Sequence, residues 1–569
     1  MTQKGEANES GLTPIPTPID FPVQWDHPED QRLFWTHNRL HNPEQILPLE
    51  EVHIRDFVEH GFNAAADAFE MVVHSKNRLI NTYSYSARIP VIRSEGVMKA
   101  QAERSEQRLA DAIADLGDLW LTEFLPEIKK YISEWESFDL PNSSMPELIN
   151  ELERTLIKTN RMGEIHFHIV IPMNEARSQF EDLFKDLFGN GGLGLYKLLQ
   201  GFDNKSLETN RELWKLSRTV RSSPQVRKVV EENALGLVMK ELQTLPEARR
   251  FLANFRGFLK EYGRRSDNSS IHEPSWIEDP TLVIQKLRQY LIAPDQGKHD
   301  LNRLVNEREE LLAQTRKRLV GYPQDIINRF ESTLKNAQIA NTISEDHAFW
   351  IDNALMYYLR EIFLEFGRRF SDKGVMDNAD DVWNLKPDEL FETAQQFPRI
   401  DRHQLIAERR AAVEHFSSVS PPAALGSRSA GPRPDSKSGR AVSRFMGVHA
   451  SRATSAPLDD PNTIPGQAAS SGVARGPACV CHSLSEAAKL KSGDILVAET
   501  TLPAWTHLFA IANAVVTDVG GILSHCAVVA REYGIPAVVD TGVASSSIKD
   551  GQLIEVDGNA GVVRIIPSS

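Results

Sequence analysis

Apolar residues recur every three or four positions through most of this chain. The spacing is sustained from about residue 49 to residue 416, for example over residues 109–121, 226–235 and 347–359. A period near 3.6 residues is that of an amphipathic α-helix. We therefore predict an all-helical domain over residues 49–416.

The pattern changes near the C-terminus, where short apolar runs alternate with turns that contain glycine. Residues 514–517 read as a buried strand, Gly520 and Gly521 follow it, and a helical apolar face begins after His525. Glycine permits a tight turn between a strand and a helix. We predict a small α/β domain over residues 463–569, so the expected fold class is a large all-α domain followed by a small α/β domain.

Two segments fit neither pattern. Residues 1–48 contain the proline-rich run 13–18 and several aromatic residues, and we expect an extended arm that lies over the helices. Residues 417–462 are rich in Ser, Pro, Ala, Gly and Arg, a composition that cannot bury a core. We predict a flexible linker with a root-mean-square span of about 35–40 Å. An inert disordered insert is the alternative.

Charge and cysteine content narrow the class of protein. The chain has 64 Lys and Arg against 78 Asp and Glu, a net charge of -14, which disfavours nucleic acid and anionic membranes as partners. It has three cysteines and no basic-then-apolar leader. No apolar run reaches the roughly 18 residues that span a bilayer. We expect a cytoplasmic enzyme.

One histidine stands where the glycine turn meets the helix. Free backbone N–H groups and the positive dipole end at a helix start attract phosphate and disfavour an imidazolium ion. We therefore expect His525 to be a neutral, nucleophilic imidazole that carries a phosphoryl group. Thr517, Gly520, Gly521 and Ser524 are predicted phosphate-binding residues, with helix capping the favoured role of Ser524. A simple helix cap is the alternative for His525.

About the last hundred residues resemble a known family. The resemblance runs from Gly472-Val-Ala-Arg-Gly-Pro477 through Gly493-Asp-Ile-Leu-Val497 and the His525 segment to Val556-Asp-Gly558. These words are similar to the mobile phosphohistidine domain of PEP-utilising enzymes. That domain occurs in phosphoenolpyruvate synthase, pyruvate phosphate dikinase, rifampicin phosphotransferase and phenylphosphate synthase. The resemblance implies a swivelling domain whose His525 accepts a phosphoryl group at one site and delivers it at another.

Scattered motifs in the helical region resemble the acceptor-binding part of rifampicin phosphotransferase-like proteins. They are Tyr262-Gly-Arg-Arg265, Pro274-Ser-Trp-Ile-Glu-Asp-Pro280, Glu345-Asp-His347, Gly367-Arg-Arg369 and Asp380-Asp-Val-Trp383. Their order along the chain matches that of the family. The resemblance implies that this region binds the acceptor substrate.

The helical motifs supply further candidate site residues. Arg265 and Arg369 are candidate phosphate ligands, because a guanidinium group matches the geometry of phosphate. Salt bridges with nearby glutamates, Glu261 and Glu365, are the alternative. His166, His168 and Tyr262 are candidate substrate-binding residues, with core positions the alternative for both histidines.

The helical region shows no glycine-rich phosphate loop and no alternation of strands with helices. We therefore expect ATP and Mg²⁺ to bind a separate ATP-grasp partner subunit, and we assign no metal ligand in this chain. This layout resembles phenylphosphate synthase and 4-methylphenyl phosphate synthase. It implies transfer through a covalent phosphohistidine to the hydroxyl of a phenol or similar small aromatic alcohol, giving an aryl phosphate, AMP and phosphate.

Three other functions stay open. The first is a phosphohistidine relay or regulatory protein without an acceptor of its own, and the second is a dehydratase that acts through a phosphorylated alcohol. The third is a phosphoenolpyruvate-dependent transferase, which would need a barrel supplied in trans. The sequence predicts neither the acceptor nor the oligomeric state.

Overall fold

A computed structural model describes residues 12–25, 27–39, 41–91, 95–189, 194–266, 270–292, 301–429, 462–482, 486–501, 503–522 and 524–566. The chain divides into two compact units. The first unit contains Met1–Pro172, Ser270–His272 and Trp350–Val442. The second unit contains Met173–Ser269, Glu273–Phe349 and Ser443–Ser569.

Helices dominate the chain up to residue 417, and two more helices lie near the C-terminus. In chain order they are α1 (His60–Ala68), α2 (Glu95–Leu119), α3 (Leu125–Ser137), α4 (Met145–Phe188), α5 (Gly194–Lys197), α6 (Lys205–Arg221), α7 (Pro224–Glu232), α8 (Leu235–Thr244), α9 (Arg249–Tyr262), α10 (Thr281–Ile292), α11 (Leu301–Arg318), α12 (Gln324–His347), α13 (Ala354–Asp372), α14 (Pro387–Gln396), α15 (His403–Ser417), α16 (His525–Tyr533) and α17 (Ala544–Ser547). None of the described helices is long and apolar enough to cross a membrane.

The first unit also contains a five-stranded antiparallel sheet. Its strands are β1 (Leu12–Pro14), β2 (Phe34–His37), β3 (Val73–Ile80), β4 (Tyr83–Pro90) and β5 (Ala424–Ser429). They lie in the order β1-β5-β2-β4-β3. Phe21, Trp35, Tyr85 and Leu425 form the apolar core beside this sheet.

This sheet corrects three expectations. The predicted extended arm contributes strands β1 and β2 and the buried Trp35, so it belongs to the fold. The predicted linker, residues 417–462, begins with the end of α15 and with strand β5. Its residues 430–461 lie outside the described part of the chain. The other predicted domain boundaries stay predictions.

The β3–β4 hairpin is the third correction, because the segment 49–416 was expected to be all-helical. Residues 83–89 alternate apolar and polar side chains, which is a strand signal that the helical prediction overlooked, although residues 83–87 are all buried. The turn residues Asn81 and Thr82 have φ of 49° and 71°. Since such a turn favours the pair Asn-Gly, a threonine there gave no turn signal.

The second unit combines helices with an eight-stranded mixed sheet. Its strands are β6 (Thr463–Pro465), β7 (Gln467–Ser470), β8 (Val473–Cys481), β9 (Ile495–Ala498), β10 (Ala514–Thr517), β11 (Ala537–Val539), β12 (Leu553–Asp557) and β13 (Val562–Ile565). Their order is β6-β13-β12-β8-β9-β10-β11-β7, with β8, β9, β10 and β11 parallel. The predicted fold class, a large helical region followed by a C-terminal α/β domain, is confirmed.

The sheet of the second unit buries both faces. On one face Val480, Val497 and Val516 pack with the other strands of the C-terminal domain. On the opposite face Cys481 and Leu496 share a core with Phe255 and Tyr290 of the helices. Within the second unit, the C-terminal domain therefore packs against the helices through an apolar interface.

Gly61 of α1 and Gly163 of α4 set the crossing of these helices in the first unit. A Cβ on Gly163 would lie 2.4 Å from the carbonyl oxygen of Phe57, whereas a Cβ on Gly257 of α9 would meet nothing within 4 Å. We expect Gly163→Ala to lower the free energy of unfolding by about 2–4 kcal/mol, because backbone must move. Gly257→Ala should raise it by about 0.5–1 kcal/mol, since alanine favours a helix. Urea denaturation of both variants tests this, and equal midpoints would contradict the crossing.

Candidate functional site

The site is built at the carboxyl end of strand β10. This strand is fully buried between β9 and β11, and the chain leaves it through a glycine turn into α16. Gly520 has a φ of 115°, and a Cβ there would lie 3.1 Å from the side chain of Ser524. The Ser524 hydroxyl accepts a hydrogen bond from the backbone N–H of Ala527, 3.4 Å away. The turn therefore requires glycine, and Ser524 caps the helix as predicted.

The His525 ring has one polar partner on each nitrogen. Its Nδ1 lies 3.5 Å from Oε2 of Glu345 on α12, and its side chain is 13% exposed. Its Nε2 lies 3.0 Å from the hydroxyl of Thr506, in the short helical turn Pro503–Ala510. A carboxylate beside Nδ1 favours the tautomer that carries its proton there. Nε2 then accepts a hydrogen bond from the Thr506 hydroxyl, and its lone pair becomes available to a phosphorus atom when that hydroxyl turns away.

Glu345 keeps its negative charge in a buried position. Burial raises the pKa of this carboxyl, but the neighbouring His525 ring, a hydrogen bond from Ser206 and the charge of Arg177 outweigh it and lower the pKa to about 2. Burial lowers the pKa of Arg177 to about 10, and Glu345 partly offsets that effect. Glu345 is therefore ionised at neutral pH, suited to orient the ring and to balance positive charge that develops on it.

Comparison with known proteins gives two family matches. Residues 490–561 match the mobile domain of PEP-utilising enzymes, and residues 166–337 match the fourth domain of rifampicin phosphotransferase. The first match contains His525 and the whole of α16. The part of the chain around His525 is thus similar to the mobile domain of PEP-utilising enzymes. The resemblance seen in the sequence is thereby confirmed, and residues 463–569 are called the mobile domain below.

Individual relatives extend the similarity over nearly the whole chain. Chondramide synthase cmdD of Chondromyces crocatus is 38% identical over 97% of this chain and 14% of its own length. The uncharacterized phosphotransferase YvkC of Bacillus subtilis (strain 168) is 29% identical over 95% of this chain and 63% of its own. A rifampicin phosphotransferase of Streptomyces sp. is 26% identical over 78% of this chain and 50% of its own. The chain thus spans from about a seventh to under two thirds of these relatives.

Other predicted residues of the second unit have structural contacts. Thr517 is fully buried, beside the Cys526 thiol, and its carbonyl accepts a hydrogen bond from Thr541. Gly521 accepts a hydrogen bond from the backbone N–H of Ser524 at 2.9 Å. These contacts shape the turn of the mobile domain. Direct phosphate binding by either residue stays a prediction.

Arg265 and Tyr262 also belong to the second unit. The Arg265 guanidinium lies 4.7 Å from the ring centroid of Trp276, and only 6% of the residue is exposed. The hydroxyl of Tyr262 donates a hydrogen bond to Glu208 at 2.5 Å, and burial with this contact raises its pKa. Glu261, the expected partner of Arg265, lies 3.5 Å from Lys205. The Tyr262 hydroxyl is therefore engaged with an acidic side chain.

The remaining predicted residues belong to the first unit. Arg369 donates to Glu365 at 2.6 Å and to the Ser143 hydroxyl at 3.1 Å, which is the salt-bridge alternative considered for this residue. His166 Nδ1 lies 3.1 Å from Asp352. His168 donates from Nδ1 to the carbonyl of Glu164 at 2.8 Å, and burial lowers its pKa. Their roles toward a substrate stay predictions.

Sequence reasoning missed two residues that touch His525. Glu345 lies in the motif Glu345-Asp-His347, but the resemblance of this motif predicts no role for the Glu345 carboxyl. Thr506 follows Pro503-Ala-Trp505 and carries no separate signal. Since both contacts depend on tertiary structure, only the family motif around Glu345 pointed toward the site.

Proposed function

We propose that this chain carries a phosphoryl group on Nε2 of His525 and transfers it to the hydroxyl of a phenol or similar small aromatic alcohol. The observation that carries this proposal is the His525 ring at a capped helix start, with Glu345 on one nitrogen and Thr506 on the other. The phosphotransferases among the relatives support phosphoryl transfer in general. The likeness to phenylphosphate synthase supports the aromatic acceptor.

Loading of the histidine begins with attack of Nε2 on a phosphorus atom of ATP. A nitrogen–phosphorus bond forms, the phosphorus–oxygen bond to AMP breaks, and the terminal phosphate is then lost to water. Thr506 stays beside His525 in the mobile domain, whereas Glu345 remains on α12 and balances the positive charge of the ring during delivery. The Thr506 hydroxyl turns to donate to a phosphoryl oxygen.

Delivery reverses the first bond change. The acceptor oxygen attacks phosphorus and the nitrogen–phosphorus bond breaks. The hydroxyl proton of the acceptor passes to Nε2 as the imidazole ring leaves. A free phenol has a pKa of about 10, as tyrosine does, so proton removal accompanies transfer. Exclusion of water protects the phosphohistidine from hydrolysis to inorganic phosphate.

Loading and delivery require different positions of the mobile domain. His525 is 13% exposed and lies against Glu345 of the helices, which leaves little access for a nucleotide. We infer that the mobile domain leaves the helices to be loaded and returns to them to deliver. ATP and Mg²⁺ bind an ATP-grasp module, which we place on a partner subunit.

A reconstituted assay tests the acceptor and the donor together. The chain, an ATP-grasp protein and Mg-ATP are incubated with a panel of phenols and aliphatic alcohols. We expect one aryl phosphate, one AMP and one phosphate per turnover, and no product without the second protein. Turnover by the chain alone would contradict the partner, an alkene would indicate a dehydratase, and ADP would contradict the dikinase chemistry.

The Thr506 hydroxyl gives a graded test of the site. Thr506→Val keeps the shape of the side chain but removes the hydroxyl, so we expect His525 to be phosphorylated roughly 10-fold more slowly, the effect of one lost hydrogen bond. Thr506→Ser restores the hydroxyl and should recover most of the rate. Rapid-quench measurement of phosphohistidine checks both variants. Equal rates for Thr506→Val and the parent would exclude this role.

A further inference from the structure

The far end of α16 also contacts the helices of the second unit. The Arg531 guanidinium lies 4.6 Å from the ring centroid of Tyr196 on α5. The Tyr533 hydroxyl lies 3.4 Å from that of Tyr290 on α10. Arg303 of α11 lies 3.5 Å from the carbonyl oxygen of Glu532. Residues 531–533 therefore form part of the surface by which the mobile domain docks.

Glu532 is the unusual member of this docking surface. Only 6% of the Glu532 surface is exposed, whereas a glutamate at a helix end ordinarily faces water. Its carboxyl is hydrogen-bonded to the side chain of Asn204, the residue that caps α6 by accepting from the N–H of Leu207. The same helix end lines a small cavity with Leu207, Asn210 and Leu304. An acidic group is thus buried where two parts of the protein must separate.

The cations near Glu532 are engaged with other groups. Arg531 donates to the carbonyl oxygens of Ala469 and Ile522 at 2.8 and 2.9 Å. Arg303 of α11 pairs with Glu307 at 2.7 Å. Arg211 of α6 pairs with Asp203 at 2.8 Å. Glu345 of α12 adds a second negative charge on this side. The surroundings of Glu532 therefore favour a neutral carboxyl in the docked position.

We propose that Glu532 is a proton-operated latch, which is protonated when the mobile domain is docked on the helices and ionises when the domain leaves. This inference rests on the proposed carrier function, because a latch matters only if the domain moves. Undocking then releases one proton from Glu532 to water. Docking takes that proton up again.

The titration of Glu532 gives the direction of the effect. Burial, together with the charge of Glu345, raises its pKa to about 8, against a partial lowering by Arg531 and Asn204. In water the group returns to its ordinary pKa of about 4.5. A carboxyl whose pKa is raised in the docked state favours docking at low pH, and this contribution is lost as pH rises from 4.5 to 8.

The titration of two neighbouring carboxyls has to be distinguished from that of Glu532. Glu345, with its pKa near 2, stays ionised throughout the window. Asp346, whose pKa burial raises to about 6, titrates inside it and accepts a hydrogen bond from the N–H of Lys205. Comparison with a Glu532→Gln variant isolates the latch, because glutamine copies the neutral carboxyl and leaves Asp346 unchanged.

Fluorescence energy transfer measures docking directly. Cysteines introduced as Leu237→Cys on α8 and Val543→Cys in the mobile domain accept dyes, since these residues are 53% and 45% exposed. The native Cys479, Cys481 and Cys526 are buried. We expect the docked-to-undocked ratio to fall by about 10- to 100-fold between pH 6 and pH 8.5.

Two further variants complete the test. In Glu532→Gln the ratio should vary by less than about 3-fold over the same range, the remainder being due to Asp346. Glu486→Gln, an exposed glutamate of the same domain, should behave as the parent. A parent-like pH dependence in Glu532→Gln, or none in the parent, would overturn the latch. Labelling of His525 in the same preparations is scored separately, so that loss of the carrier function and loss of the latch are distinguishable.

Discussion

Replacement of His525 by alanine is expected to lower the rate of acceptor phosphorylation by at least about 10³-fold, since the nucleophile that forms the covalent intermediate is removed. No other described side chain occupies the position between Glu345 and Thr506. Transfer through the mobile domain should therefore stop, whatever the acceptor. Initial rates of aryl phosphate formation with saturating ATP and acceptor check the prediction.

The matched control for this variant is His482→Ala. His482 is an exposed histidine of the same domain, and its loss should change the rate by less than about 2-fold. His525→Ala should also keep its helix, because Ser524 remains as the cap. Activity of His525→Ala within 10-fold of the parent, in a protein that melts normally, would rule out the carrier.

Replacement of Glu345 by glutamine is expected to lower the rate of phosphoryl transfer from His525 to the acceptor by roughly 10²–10³-fold, by analogy with other carboxylates that orient a catalytic histidine. The amide of glutamine is able to donate to Nδ1, which removes the ring proton from that nitrogen and makes the ring a poorer leaving group. It also leaves the positive charge of the ring without a counter-charge. Single-turnover decay of labelled phosphohistidine at saturating acceptor measures this step apart from loading.

A second glutamate on α12 gives the control. Glu331 pairs with Arg316 at 2.7 Å near the surface, and Glu331→Gln should leave the rate of delivery to the acceptor within about 2-fold of the parent. Glu345→Asp keeps the charge but shortens the side chain, so its rate should lie between those of the parent and Glu345→Gln. If phosphohistidine passes its phosphoryl group to the acceptor equally fast in Glu345→Gln and Glu331→Gln, Glu345 has no part in the chemistry.

The local structure around His525 was accessible from the sequence. Strand β10, the glycine turn and α16 follow one another within a short stretch, and each has a local signal: a buried apolar run, a glycine pair and a serine cap. The family motif then identified the histidine. The prediction was correct here because neighbours in sequence are also neighbours in space.

The rest of the site could not be predicted in the same way. Glu345 and Thr506 approach His525 only because the mobile domain packs on α12 and on its own helical turn. The sheet of the first unit was missed for a related reason: β5 pairs with β1 and β2, which are separated from it by almost the whole helical region. Each of these segments lies far from its partner in the sequence, so neither segment alone indicates which strand it pairs with.

The salt bridge of Arg369 shows that a family motif does not by itself identify a phosphate ligand. Arginine in a family motif suggests a phosphate ligand, yet this side chain donates to Glu365 and to the hydroxyl of Ser143. A guanidinium group serves a carboxylate as readily as a phosphate. Only its surroundings distinguish the two uses.

The central claim is that Nε2 of His525 becomes phosphorylated. After incubation of the chain with the ATP-grasp protein and Mg-ATP, without an acceptor, mass spectrometry under alkaline conditions and ³¹P NMR locate the phosphate. We predict one acid-labile phosphate per chain, on Nε2 of His525, which disappears when a phenol is added. Phosphate on any other residue, or full turnover of acceptor with His525 never labelled, would contradict the account.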